Sequence, residues 1–180
     1  MEKEGITASQ FIKNASQLEI SKIIKDFGEE KNYRRLGQSI KKYVKKDAMK
    51  TTFDLKQSIL DVVPSYFANK TMARVFQAIR IAVNDELTVL KDTLNKTTHY
   101  LKTGGKLIVI SYHSLEDRIV KKFINNKSKN CICPKEIPIC SCNQIASLKI
   151  ITKKPIIPSI DEIAINRKSR SAKMRVAEKI

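Results

Sequence analysis

The residue pattern predicts an α/β chain in two parts, all-helical to about residue 86 and then helix, strand, helix, strand, helix, strand. Two observations carry this. Apolar residues recur at steps of three and four throughout the first part. After Gly104-Gly105, the run Lys106 to Tyr112 is short, apolar and β-branched, the pattern of a buried strand, and similar runs follow at 148–152 and 171–179.

In chain order, Thr7 caps a first short helix carrying Phe11 and Ile12. Ser16 caps a second, with Ile20, Ile23, Ile24 and Phe27 inside and Gly28 as its stop. Glu29 to Lys46 reads as a basic amphipathic helix. Its apolar side holds Tyr33, Leu36, Ile40, Tyr43 and Val44, and its polar side Arg34, Arg35, Lys41, Lys42, Lys45 and Lys46. Thr51 or Thr52 opens a helix from Phe53 to Val63, which Pro64 ends. From Met72 one long helical pattern runs through Phe76, Ile79, Val83, Leu87, Leu90 and Leu94, with Arg74, Gln77 and Arg80 on neighbouring faces.

The glycine pair is a turn into the first strand. Beyond that strand lies the polar knot Ser111-Tyr112-His113-Ser114. Ser114 is the expected N-cap of the next helix, with Asp117 as its capping acid and Leu115, Ile119, Val120 and Phe123 as its apolar face. In open α/β sheets ligands bind beyond the carboxyl ends of strands, where this knot lies, although helix capping alone accounts for it equally well. Pro158-Ser159 starts a short helix with Asp161 and Glu162 in its first turn. The last strand alternates Ala172, Met174 and Val176 against Lys173, Arg175 and Ala177, and is entered through Arg167-Lys168-Ser169-Arg170.

The chain has 180 residues, 42% of them hydrophobic, which suffices for an ordinary globular core. No apolar run approaches the ~20 residues that cross a bilayer, and MEKEGITASQ lacks a signal core, so a cytoplasmic protein without a membrane partner is expected. The net charge of +17 favours a polyanionic partner, nucleic acid first. The absence of Trp argues against binding mainly by base stacking. The four cysteines, Cys131, Cys133, Cys140 and Cys142, fall within CICPKEIPICSC. Thiolates paired across a short loop suit tetrahedral zinc, but the spacing is C-x-C instead of the usual C-x2-C, and reduced thiols in a loop are the competing reading.

Three segments, TGGKLIVISYHSLEDRIVKKF, ARVFQAIRIAVNDEL and INRKSRSAKMRVAEK, resemble the bacterial 16S rRNA cytosine-N4-methyltransferase family. The resemblance runs from the first residues to the last, but covers only the C-terminal part of that family. It implies residues 1–86 as most of an all-helical inserted domain that binds RNA. It implies 87–180 as the C-terminal portion of a Rossmann-like class I methyltransferase sheet. The implied reaction is methyl transfer from S-adenosylmethionine to a cytosine N4 in 16S rRNA or the small ribosomal subunit. That amine is a poor nucleophile that must be oriented and relieved of a proton.

On this resemblance His113, Ser111 and Ser114 line the base pocket, and Glu116, Asp117 and Arg118 orient it. Arg34, Arg35, Lys41, Lys42, Arg74, Gln77, Arg80, Arg167 and Arg170 are the RNA-contact candidates, with Arg74, Gln77 and Arg80 serving either RNA or the fastening of the two domains. The family's cofactor site needs a Gly-rich loop, whereas the five glycines here, at 5, 28, 37, 104 and 105, form no G-x-G. No cofactor-binding residue is therefore assigned, and the chain reads as a C-terminal fragment, inactive alone. The alternative is a non-catalytic basic RNA-binding module. A sheet of three strands is expected to leave an exposed edge at 106–112 and to self-associate through it.

Overall fold

The computed structural model describes residues 5–134 and 142–180, which divide into two compact units, Met1–Glu86 and Leu87–Ile180. The first unit holds α1 (Ala8–Asn14), α2 (Gln17–Asp26), α3 (Tyr33–Lys45), α4 (Thr52–Leu60) and α5 (Ser65–Asn84). Thr7, Ser16 and Thr51 each close a capping box with the residue three positions on, so the first, second and fourth helices begin where their sequences place them. Ile12, Ile20, Ile24, Leu36, Ile40, Leu55, Ile59, Val75 and Ile79 form the core. At Gly28 the chains run too close for a side chain, since a Cβ there would lie 2.7 Å from the Ile24 carbonyl oxygen and 2.9 Å from that of Arg74.

Several helix boundaries differ from the sequence pattern, each for a local reason. The third helix starts at Tyr33, not Glu29, because Glu29 is left-handed (φ 49°) and the Glu30 carboxylate is drawn onto α5. The fourth ends at Leu60 and the fifth begins directly after Pro64, before Met72. The long pattern through Leu94 is two helices. Asp85 is left-handed (φ 48°) and separates α5 from α6 (Glu86–Tyr100), while Glu86 accepts hydrogen bonds from Arg80 and Asn84 on the last turn of α5.

The second unit contains most of α6, then β1 (Lys106–Ser111), α7 (Ser114–Lys127), β2 (Leu148–Ile150), α8 (Ile160–Ile165) and β3 (Lys173–Lys179). The strands form an antiparallel sheet in the order β1-β3-β2, with Leu107 opposite Ala177 and Leu148 opposite Lys179. Gly104 (φ 82°) makes the turn into β1. Leu94, Leu107, Val120, Ile124, Leu148 and Ala177 make the core on one face of the sheet. On the other face Ile108 and Ile110 stay more than half exposed.

Two strands are shorter than the sequence indicates. The amides of Ile151 and Thr152 both reach the Val176 carbonyl at 3.1 Å, a two-against-one bulge that ends the second strand's ladder. Arg167–Ser171 forms a 3-10 turn, fixed by Asn166, so β3 begins at Lys173. Its faces are also the reverse of the expected ones. Arg175 and Ala177 are buried on the helix side, and Met174 and Val176 are only half-buried. No helix among the described residues is long and apolar enough to cross a membrane.

Candidate functional site

The polar knot at the carboxyl end of β1 is built around the first turn of α7. The N-cap is His113, not Ser114, and the capping acid is Glu116, not Asp117. The Glu116 amide donates to His113 Nδ1 at 3.3 Å, and Glu116 Oε2 accepts from the amides of Tyr112 (2.9 Å) and His113 (3.3 Å). An Nδ1 that accepts an N–H leaves the proton of the neutral ring on Nε2. That atom lies 3.5 Å from Glu116 Oε1. The imidazole is thus fixed in tautomer and direction by its own helix.

Ser111 is buried at the end of the strand, Tyr112 is exposed, Ser114 is exposed on the first turn of α7 and Arg118 just after it. The structure therefore brings His113 and Glu116 together and leaves Ser114 and Arg118 at the surface.

Asp117 points to the buried side of α7. Its two carboxylate oxygens accept from Arg175 Nε at 2.6 Å and Nη2 at 3.1 Å, and Lys173 Nζ stands 3.8 Å away. The Arg175 hydrogen bonds hold the Asp117 carboxyl below the usual carboxylate range despite partial burial. Sequence reasoning placed Arg175 on a polar face and missed this pair. No local signal marks it, because the two residues are 58 positions apart in sequence and meet only in the fold.

The basic candidates fall into two groups. Arg34, Arg35 and Lys42 are exposed on α3. Arg34 and Lys25 each stand 5.5 Å from the Tyr33 ring centroid, beside a groove that Lys22 also lines. A second groove joins Lys41 and Lys42 to Lys45 and Lys46. Arg167 and Arg170 are exposed on the 3-10 turn before β3.

The other group is tied up inside its own unit. Lys41 Nζ donates to the carbonyls of Lys13 (3.0 Å) and Ala15 (2.8 Å), closing the end of α1. Arg74 pairs with Glu30 at 3.2 Å, Gln77 donates to the Phe27 carbonyl at 3.0 Å, and Arg80 forks onto Glu86. Burial pushes the Glu30 carboxyl up, but the Asn32 amide and Arg74 together outweigh it and hold it below its ordinary value. Lys41 braces the end of α1, and the other three, all on α5, brace the segments next to it.

Of the cysteines, Cys131, Cys133 and Cys142 are close together, and Cys140 lies outside the described residues. The described residues do not fit a nucleoside cofactor. Among them the only glycine turn beside a strand, Gly104-Gly105, is at the amino end of β1, and the carboxyl end passes into α7 without a glycine.

Comparison with known proteins sets this geometry in a family. The chain is 46% identical over 176 residues to the ribosomal RNA small subunit methyltransferase H of Caldicellulosiruptor saccharolyticus, covering 97% of this chain and 57% of that protein. To the proteins of the same name from Halothermothrix orenii and Clostridioides difficile it is 42% and 41% identical, covering 58% and 57% of them. The chain thus spans somewhat more than half the length of these relatives. The model of the MraW methylase family matches residues 1–180, and the chain belongs to that family.

Proposed function

We propose that this chain is part of an S-adenosylmethionine-dependent methyltransferase acting on the N4 amine of a cytosine in 16S rRNA. The observation that carries the reading is the 41–46% identity, along nearly the whole chain, to proteins named ribosomal RNA small subunit methyltransferase H. S-adenosylmethionine supplies an electrophilic methyl group in such a reaction. Its site is assigned to the portion of the relatives that this chain does not span. The sheet order, with β1 at an edge, is what the outer part of a larger Rossmann-like sheet would leave, and it supports self-association when that neighbour is missing.

This chain's own residues hold the substrate. The 87–180 unit offers His113 as a wall of the base pocket at the carboxyl end of β1, with its ring direction set by Glu116. Ser111 and Ser114 flank it, and Arg118 follows one turn after Ser114 on the same helix. Asp117 acts through Arg175, which fixes the first turn of α7 against β3 and so positions the knot. The 1–86 unit is the RNA-binding insert. Arg34, Arg35 and Lys42 on its third helix, with Arg167 and Arg170 of the other unit, contact phosphates. Lys41, Arg74, Gln77 and Arg80 brace the helical unit through their own hydrogen bonds.

The test is methylation of small ribosomal subunits lacking the modification, using a full-length enzyme that contains this chain and labelled methyl donor. Label in a cytosine N4 supports the reading. Methylation elsewhere, or of protein, overturns it. The alternative, a non-catalytic basic RNA-binding module, rests on the net charge of +17 and the exposed cations of α3. It predicts RNA binding without label transfer even when the remaining part of a relative is supplied in trans.

A further inference from the structure

The cysteine loop lies between α7 and β2, and the proposed methylation gives it no role. Its base is closed like a short clasp. The Ser147 amide donates to the Lys127 carbonyl at 2.8 Å, the Ala146 amide to Asn130 Oδ1 at 3.0 Å, and Gln144 Nε2 to the Lys129 carbonyl at 2.8 Å. These contacts bring Cys142 over Cys131 and Cys133. Asn143, next to Cys142, is left-handed (φ 46°), which turns the chain back at the sulfur cluster.

The three Sγ atoms all lie within 4.8 Å of one another, and Cys131 Sγ and Cys142 Sγ are 3.9 Å apart. That separation is nearly twice the ~2.05 Å of a disulfide bond. It is close to the ~3.8 Å edge of a tetrahedron whose corners sit ~2.3 Å from a central zinc. The Ile132 amide also points at Cys142 Sγ at 3.5 Å, so a peptide dipole is available to a sulfur that carries negative charge. A donor set of thiolates alone selects a soft ion over magnesium or calcium.

We propose that Cys131, Cys133 and Cys142 bind one Zn2+ through three thiolates, with the fourth tetrahedral position left to a further donor. Each thiol gives up its proton as its sulfur bonds the metal, so binding releases protons and weakens as pH falls. The ion has a structural role, locking the crossing from α7 to β2 by joining its two ends.

The experiment uses the full chain, reduced and stripped of metal, titrated with Zn2+ against a chromophoric chelator and separately with Co2+. One zinc per chain is expected, with a thiolate-to-cobalt charge-transfer band that zinc abolishes. C131S, C133S and C142S should each weaken zinc binding by more than the ~10–100-fold that loss of a merely orienting partner costs. Zinc should also slow tryptic cleavage around Lys129, and a chelator should restore it. Circular dichroism of each variant checks that the helices persist, and intact mass after alkylation checks that the thiols are reduced. Reduced, folded chain that binds no zinc would overturn the proposal. So would unchanged affinity in C142S, or a Cys131–Cys142 disulfide that re-forms in preference to the metal site.

Discussion

Arg175 grips Asp117 with a two-point fork, Nε to Oδ1 at 2.6 Å and Nη2 to Oδ2 at 3.1 Å, and so ties the first turn of α7 to the middle strand of the sheet. Both side chains are largely buried. A buried pair adds little over a well-packed apolar pair, but removing one partner strands the other charge, at a cost of ~3–5 kcal/mol. R175M is therefore expected to destabilise the 87–180 unit by about 3 kcal/mol in denaturant titration. D117L/R175M should recover much of that loss. Equal losses in the single and double variants would show that shape, not charge, holds this contact.

The same pair sets an acid limit. Asp117 titrates at lower pH when folded than when unfolded, because Arg175 stabilises its carboxylate. The unfolded chain thus binds more protons in the intervening window. The stabilisation is complete above the ordinary carboxylate range near pH ~4 and is lost as pH falls through the folded value. Thermal unfolding of the 87–180 unit should shift down between about pH 5 and 3, and D117N should flatten that slope. A slope unchanged in D117N would place the acid sensitivity elsewhere.

His113 has a capping role and a proposed substrate role, and the two separate cleanly. Asparagine is a strong N-cap, so H113N should keep the bond from the Glu116 amide and change stability by only a few tenths of a kcal/mol. H113A loses the cap and should cost ~1 kcal/mol. If the imidazole walls the base pocket, both variants in the full-length enzyme lose methylation to a similar extent. Activity that follows stability, high in H113N and low in H113A, would reduce His113 to a helix cap.

Much of this was legible in the sequence, because the signals were local. Thr7, Ser16 and Thr51 announced their helices, and Gly104 announced the strand. Features that depend on distant partners were not. Nothing near Asp85 shows that the long apolar pattern breaks there, since the break depends on a left-handed residue and on Glu86 folding back to Arg80. The faces of β3 were inverted because Arg175 looks like a surface residue until Asp117, on a separate helix, is opposite it. The basic candidates divide for the same reason, since only the fold reveals that Lys41 closes the end of α1.

That division sharpens the RNA prediction. Charge reversal at Arg34, Arg35 and Lys42 removes exposed cations and leaves the core packing of α3 intact. Affinity for a 16S rRNA fragment should fall, and the log–log salt slope should shrink by ~0.7–0.9 for each phosphate that is no longer neutralised. K41E should instead lower the melting temperature of the helical unit, because it breaks the hydrogen bonds to the Lys13 and Ala15 carbonyls. A salt slope untouched by the triple variant would make this face a solvated surface.

The last prediction concerns the edge of the sheet. Among the described residues β1 pairs only with β3, so its other side presents unpaired amides and carbonyls. Ile108 and Ile110 project from the face opposite the helices and are more than half exposed. An apolar, uncharged edge strand is a template for pairing with another chain. The chain by itself is therefore expected to self-associate with rising concentration, seen by sedimentation. In dilute monomer, amides from Leu107 to Ile110 should exchange faster than those of Leu36 to Val44, whose helix is buried in its own core. I108K/I110K places like charges on the exposed face beside that edge and should suppress association while sparing Leu107 and its packing. A monodisperse monomer with slow exchange at 107–110 would mean that β1 is stable without a neighbour, and the proposal that it adjoins a missing part of a larger sheet would fail.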